Sequence, residues 1–142
     1  MDSEYLEELD SLRGLGRFIG EAGCLAANPA YWKSGHVLLL YTIKIVHIFN
    51  EKHLNLDDLV ITVNPKHVWF YEHIMLMQRI GREKPYKDVK GAPAIAMRLD
   101  IRTMKETYGR TYQGHPPLSN MYDFFFNSAP EGSSCLNRLE LQ

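Results

Sequence analysis

Long hydrophobic runs, cysteine and charge of one sign are all scarce in this sequence of 142 residues. The most apolar run, Val37–Phe49, is well short of the about 20 residues that cross a bilayer. It also contains Lys44 and His47, so it reads as a buried helix and no membrane span is expected. The acidic start, Met1–Asp10, lacks the basic and then apolar pattern of a signal peptide. The two cysteines, Cys24 and Cys135, read as reduced thiols and point to a cytoplasmic location. No Cys/His set has zinc spacing, and His36 and His47 share a helical face about three turns apart, so no metal site is expected. A net charge of -1 gives no electrostatic footprint for nucleic acid. Repeats and low-complexity blocks are absent.

What is present suits one globular domain, with 45% apolar and 23% charged residues. Ser3–Arg13 reads as a helix, with Ser3 as its cap, Glu4, Glu7 and Glu8 in its first turn, and Gly14 and Gly16 as its stop. Arg17–Ala26 reads as a strand in which Gly20, Ala22 and Gly23 leave room for a close approach. Gly35–His53 is the strongest helix, with a wide apolar surface and a solvated polar stripe of Lys44, His47 and Glu51. Leu59–Val63, within Asp58–Val63, is the continuous β-branched run of a parallel strand buried on both faces. Asn64-Pro65 then caps a further helix that carries Phe70, Tyr71 and Met75 and ends before Gly81. A weakly patterned strand follows near Gln78–Glu83. Lys84–Pro93 reads as a long connector, and Ile95, Met97, Leu99 and Ile101 alternate as a strand. Beyond Ile101 the pattern fades: Lys105–Gly114 is polar, Leu118–Phe126 reads as a short docking helix, and Ser128–Gln142 as a loosely ordered tail.

Three segments carry a resemblance. Asp57-Asp58-Leu59-Val60-Ile61-Thr62-Val63-Asn64-Pro65-Lys66-His67-Val68-Trp69-Phe70-Tyr71 resembles the strand-to-helix junction of GNAT-superfamily acyltransferases, and more specifically of the long-chain N-acyl amino acid synthases. Tyr86-Lys87-Asp88-Val89-Lys90-Gly91-Ala92-Pro93-Ala94 is similar to the segment before the last strand in that family. Leu12-Arg13 with Gly16-Arg17-Phe18-Ile19-Gly20-Glu21 is similar to its thioester-binding strand. The resemblance covers about residues 10 to 102. It implies an α/β fold with a partial mixed sheet, in which two central parallel strands, Arg17–Leu25 and Asp58–Val63, splay apart between flanking helices. Residues 1–102 would form this domain, without the family's usual N-terminal segment, and 103–142 a C-terminal extension.

The implied reaction moves a fatty acyl group from an acyl carrier protein or coenzyme A thioester to the amine of a small-molecule acceptor, an amino acid. No resident cofactor is implied. The stretch Trp32-Lys33-Ser34-Gly35-His36 has one glycine where GNAT phosphate loops have two, which favours the carrier protein as donor. Acyl transfer to an amine needs a base for the ammonium proton, donors for the oxyanion and an acid for the thiolate. The resemblance implies Glu21 as base and Tyr71 as acid, with His67 as a further acid/base candidate. Ala22, Gly23, Leu25, Gly35 and Asn64 would bind the thioester. The structural alternatives are a strand-edge Glu21 paired with Arg17, a packed Tyr71 and a surface His67. Lys84, Lys87 and Lys90 read as a solvated connector or as a patch for an acidic carrier. An unpaired sheet edge suggests a homodimer or another partner. The competing reading of the whole chain is a truncated, non-catalytic GNAT-like binding or scaffolding module, or a lipid sensor using the same cleft.

Overall fold

The computed structural model describes Met1, residues 3–23 and residues 35–127. The chain divides into two compact units, Met1–Arg102 and Thr103–Gln142. In the first, α1 (Leu6–Gly14) and β1 (Ile19–Glu21) are followed by α2 (Gly35–Phe49), β2 (Asp58–Val63) and α3 (Val68–His73). A short β3 (Gln78–Arg79), β4 (Lys84–Tyr86) and the long β5 (Ala92–Asp100) complete the sheet. β1 pairs parallel with β2, as the strand–helix–strand order implies. β2 and β5 pair antiparallel from Asp58↔Asp100 to Val63↔Ile95, and β3 and β4 pair antiparallel with β5. The fold is thus α/β, with a mixed sheet in the order β1-β2-β5-β3 flanked by helices, and β1 is its outermost strand among the described residues.

Period-2 alternation sends the two faces of β2 and β5 to different partners. Val60, Ala94 and Ala96 form a core with Tyr5, Leu9 and Leu12 of the N-terminal segment. The Tyr5 hydroxyl donates to the Ala94 carbonyl at 2.7 Å, and Lys84 Nζ stands 4.5 Å above its ring. On the opposite face, Leu59, Ile61, Val63 and Leu99 look towards α2 and α3. Covered on both sides, β5 is buried through Ala94–Met97.

Four charges tie β1, β2 and β5 together. Asp58, with no exposed surface, accepts from Arg17 Nε, from Arg17 Nη2 at 2.8 Å and from Arg98 Nε at 2.7 Å. Asp100 accepts from the same two guanidinium groups at 2.8 and 2.9 Å. The adjoining Asp57 accepts from Arg102 and from the Phe18 N–H, and its carboxyl is held below the usual carboxylate range by those bonds, the Arg102 bond first.

Several expectations need correction. The first helix begins after Tyr5 without a side-chain cap, and Ser3 bonds to the Glu4 carboxylate instead. Of the expected strand Arg17–Ala26, the described residues show β1 at Ile19–Glu21, and Arg17 turns its side chain to Asp58 and Asp100. α2 stops at Phe49 and a π-helical turn, Asn50–Leu54, replaces its expected end. There the buried Asn50 side chain bonds both the N–H and the C=O of Leu56, as a neighbouring strand would, and so ends the helix.

Of the polar stripe only Glu51 is solvated. Lys44 and His47 are buried, while Ile45 and Phe49 are exposed by 65% and 51%. Apolar residues nearly encircle this helix, so their pattern leaves its rotation undetermined. Burial pushes the His47 imidazole below its ordinary pKa and outweighs Glu51 at 3.6 Å, so the buried ring is neutral. The expected connector Lys84–Pro93 contains β4 and a tight reversal at Lys90 and Gly91, both at positive φ. The faded segment after Ile101 is a true helix, α4 (Ile101–Tyr112), whose Met104, Tyr108 and Tyr112 are buried at a spacing of four. In the second unit, Leu118–Phe126 forms a 3-10 turn at Pro117–Ser119 and a π-helical turn at Asp123–Asn127 rather than one helix. Phe125 packs edge-on against Tyr108 there, with ring centroids 5.5 Å apart.

Candidate active site

β1 and β2 run side by side for three residue pairs, and the Ala22 N–H adds one more bond to the Val60 carbonyl at 3.0 Å. Past that bond, Ile61–Val63 continue without a described strand on the β1 side. A cavity of about 540 Å³ adjoins this end of β1 and the exposed flank of β2. β1 and its exit contribute Glu21, Ala22 and Gly23; α2 contributes Leu39, Ile43 and Val46. β2 brings Leu59, Ile61 and Val63, and the junction after it brings Asn64, His67 and Tyr71.

The junction geometry follows from local sequence. Asn64 is extended, and its Oδ1 accepts the Lys66 N–H at 3.1 Å. Pro65 sits in the first turn, where its missing N–H costs nothing. The chain passes through Pro65–His67 into α3, which places His67 at the mouth and Tyr71 one turn deeper. Tyr71 is partly buried, and its phenol is raised above the ordinary value by desolvation. Its ring meets Phe70 edge-on at 5.4 Å.

The structure therefore brings Glu21, Ala22, Gly23, Asn64, His67 and Tyr71 to one cavity. Glu21 is 43% exposed, and its carboxylate is 3.4 Å from the Met1 amino group. Arg17, the partner expected for it, is committed to Asp58 and Asp100. Leu25 and the segment Trp32-Lys33-Ser34 lie outside the described residues, as do both cysteines; Gly35 opens α2. The small residue Gly20 serves a different purpose from the expected ligand approach: the Leu56 side chain fills the space where its Cβ would stand. Of the basic connector, Lys84 is engaged with the Glu4 carbonyl and with Glu8, at 2.6 and 3.1 Å, whereas Lys87 and Lys90 are exposed on either side of Val89 at the cavity mouth.

Sequence reasoning missed Thr62, Met75, Met77, Tyr86 and Val89, which also line the cavity. Met75 and Met77 fall within the apolar stretch Ile74–Met77, the only local signal for them. Among the described residues no group of three or more His, Cys, Asp or Glu could hold a metal ion, and no helix is long and apolar enough to cross a membrane.

Residues 1–100 match the family model of the N-acyl amino acid synthase FeeM. Among solved structures, FeeM, an N-acyl amino acid synthase from uncultured soil microbes, is similar with a TM-score of 0.62 and 29% sequence identity. The likeness covers 75% of this chain and 58% of that protein, so the chain spans little more than half the length of its structural relative. No curated protein matches the chain.

Proposed function

This chain belongs to the FeeM N-acyl amino acid synthase family, and on that premise we propose that it is an N-acyltransferase, moving a fatty acyl group from a thioester to the amine of an amino acid. The observation that carries this reading is the cavity beside β1 and β2. It combines an exposed carboxylate at its mouth, a desolvated phenol inside and an apolar interior. That combination suits a substrate with a reactive polar end and a hydrocarbon tail.

In the proposed reaction the amine nitrogen attacks the thioester carbonyl carbon. Glu21 takes the ammonium proton, directly or through a water, and the C–N bond forms. The amide N–H groups of Asn64, whose oxygen is already engaged by Lys66, are donors for the carbonyl oxygen. The C–S bond then breaks with its electron pair on sulfur, the Tyr71 hydroxyl supplies the thiolate with its proton, and the second proton of the attacking nitrogen passes to the phenolate, which leaves a neutral amide and restores the phenol. Desolvation favours the neutral phenol, so Tyr71 still holds its proton at neutral pH. His67 is the second proton carrier within reach of the mouth. The donor we propose is an acyl carrier protein thioester rather than coenzyme A, with exposed Lys87 and Lys90 meeting an acidic carrier. A cytoplasmic location and a homodimer across the outer edge of β1 belong to the same proposal, and light scattering decides the second.

The test is direct. Purified protein is incubated with acyl carrier protein thioesters and mixed amino acids, and N-acyl amino acids are sought by mass spectrometry. Products that disappear with Tyr71→Phe support the reading. A folded protein that binds acyl thioesters and transfers none belongs instead to the non-catalytic binding class.

A further inference from the structure

Burial divides the cavity into a mouth and a floor. Glu21, Gly23, His67 and Val89 are exposed, whereas Leu59, Met75, Met77 and Leu99 retain no more than 7% of their surface. The floor is assembled on one face of the sheet. Leu59 is the register partner of Leu99. Gln78 is the register partner of Arg98, which brings the preceding Met77 beside Leu99. Tyr71, on the same lining, is intermediate in burial.

The two methionines reach the floor through an uncommon backbone. Leu76, between them, has φ 51, a left-handed conformation that a bulky side chain rarely adopts. On either side the chain is fastened to α3: the Met75 N–H donates to the Phe70 carbonyl at 3.2 Å and the Met77 N–H to the Tyr71 carbonyl at 2.9 Å. In a continuing helix, residues two apart point about 200° apart, so both could not face one cavity. The reversal at Leu76 removes that restriction, and both line it. The local strain is therefore spent on placing two unbranched, adaptable side chains at the closed end. A fatty acyl chain that enters by the mouth and outgrows this volume of about 540 Å³ presses its terminal methyl on the floor.

We propose that Met75 and Met77 form the end stop of the acyl site and set the chain length the protein accepts. This rests on the acyl-transfer reading above for the identity of the ligand, though not for the geometry of the floor. Met77→Ala removes three heavy atoms from the floor and makes room for about that many methylenes. Met77→Phe intrudes on the same space. Leu76→Gly relieves the left-handed strain without shortening either methionine, and so loosens the floor instead of moving it.

The experiment uses the full chain and two readouts. One is the affinity for a ladder of saturated free fatty acids, read by displacement of a fluorescent fatty acid. The other is the product distribution from mixed-length acyl carrier protein thioesters. Met77→Ala should move the tightest-binding length up by about two or three carbons and Met77→Phe should move it down, with about 10-fold in affinity for each ill-fitting methylene. Leu76→Gly should broaden the preference around its original length. An unchanged length preference in Met77→Phe and Leu76→Gly overturns the proposal even if Met77→Ala does not fold, and so does a wild-type protein indifferent to length. Length preferences that shift as expected in a protein that transfers no acyl group to any amino acid overturn the acyl-transfer reading and leave the end stop standing.

Discussion

Replacing Asp58 with Asn keeps the size of the side chain and removes its charge. In the native chain this carboxylate has no exposed surface and receives three hydrogen bonds, two from Arg17 and one from Arg98. The arginine side chains are themselves 14% and 15% exposed, and that of the remaining acid, Asp100, is 21% exposed. Breaking a buried ion pair by removing one partner costs about 3–5 kcal/mol, since the opposite charge stays behind without compensation. Two features place Asp58→Asn at the lower end. Asp100 still faces both guanidinium groups, and the small exposure of the arginines admits some solvent. The expected loss is about 3 kcal/mol, or roughly 10 °C in melting temperature. Urea denaturation followed by circular dichroism measures the loss. Hydrogen exchange at the Ala22 amide, which donates to Val60 at 3.0 Å, reports whether β1 remains docked on β2. Because β1 carries Glu21 to the cavity, fatty acid affinity should fall together with protection of that amide. A loss below about 1 kcal/mol with Ala22 still protected would show that the four charges are dispensable and that apolar packing alone holds β1.

Three further outcomes follow from the same geometry. Tyr71→Phe should slow acyl transfer by about 100-fold or more in single-turnover assays while leaving thioester affinity nearly unchanged; the wild-type rate should persist past the ordinary tyrosine range in alkali, because desolvation raises the phenol, and full activity in the variant would return Tyr71 to a packing role. Glu21→Gln should lower the rate near neutrality and recover part of it at high pH, where the acceptor amine loses its proton unaided; a pH-independent deficit in rate profiles argues against a base at this position. Gly81→Ala should destabilise the fold by about 1–3 kcal/mol in urea titrations, since its Cβ would stand 2.7 Å from the fully buried Tyr5 ring; a neutral result would mean that the ring yields.

The sequence by itself determined the elements whose signals are local. β-branched residues at Leu59–Val63 have one comfortable state in a covered sheet, and they form β2. Asn64-Pro65 combines a capping side chain with a residue preorganised for a first turn, and the chain turns there as read. Alternation at Ile95, Met97 and Leu99 made β5 legible, and the chain order made β1 legible as the parallel neighbour of β2. Glu21, Asn64, His67 and Tyr71 were legible through the family likeness, because they flank those same elements. Tertiary structure alone decided the rest. Apolar residues encircle α2, so only packing could choose to bury Lys44 and His47 and to expose Ile45 and Phe49. β4 has a proline at its centre and no alternation, and it exists because β5 offers it an edge. Asp58, Arg17, Arg98 and Asp100 are scattered along the sequence and meet only once strand register is set. The floor of the cavity was hidden for a similar reason. A left-handed leucine has no sequence signature, although the hydrogen bonds that flank it run only to Phe70 and Tyr71 at the end of α3.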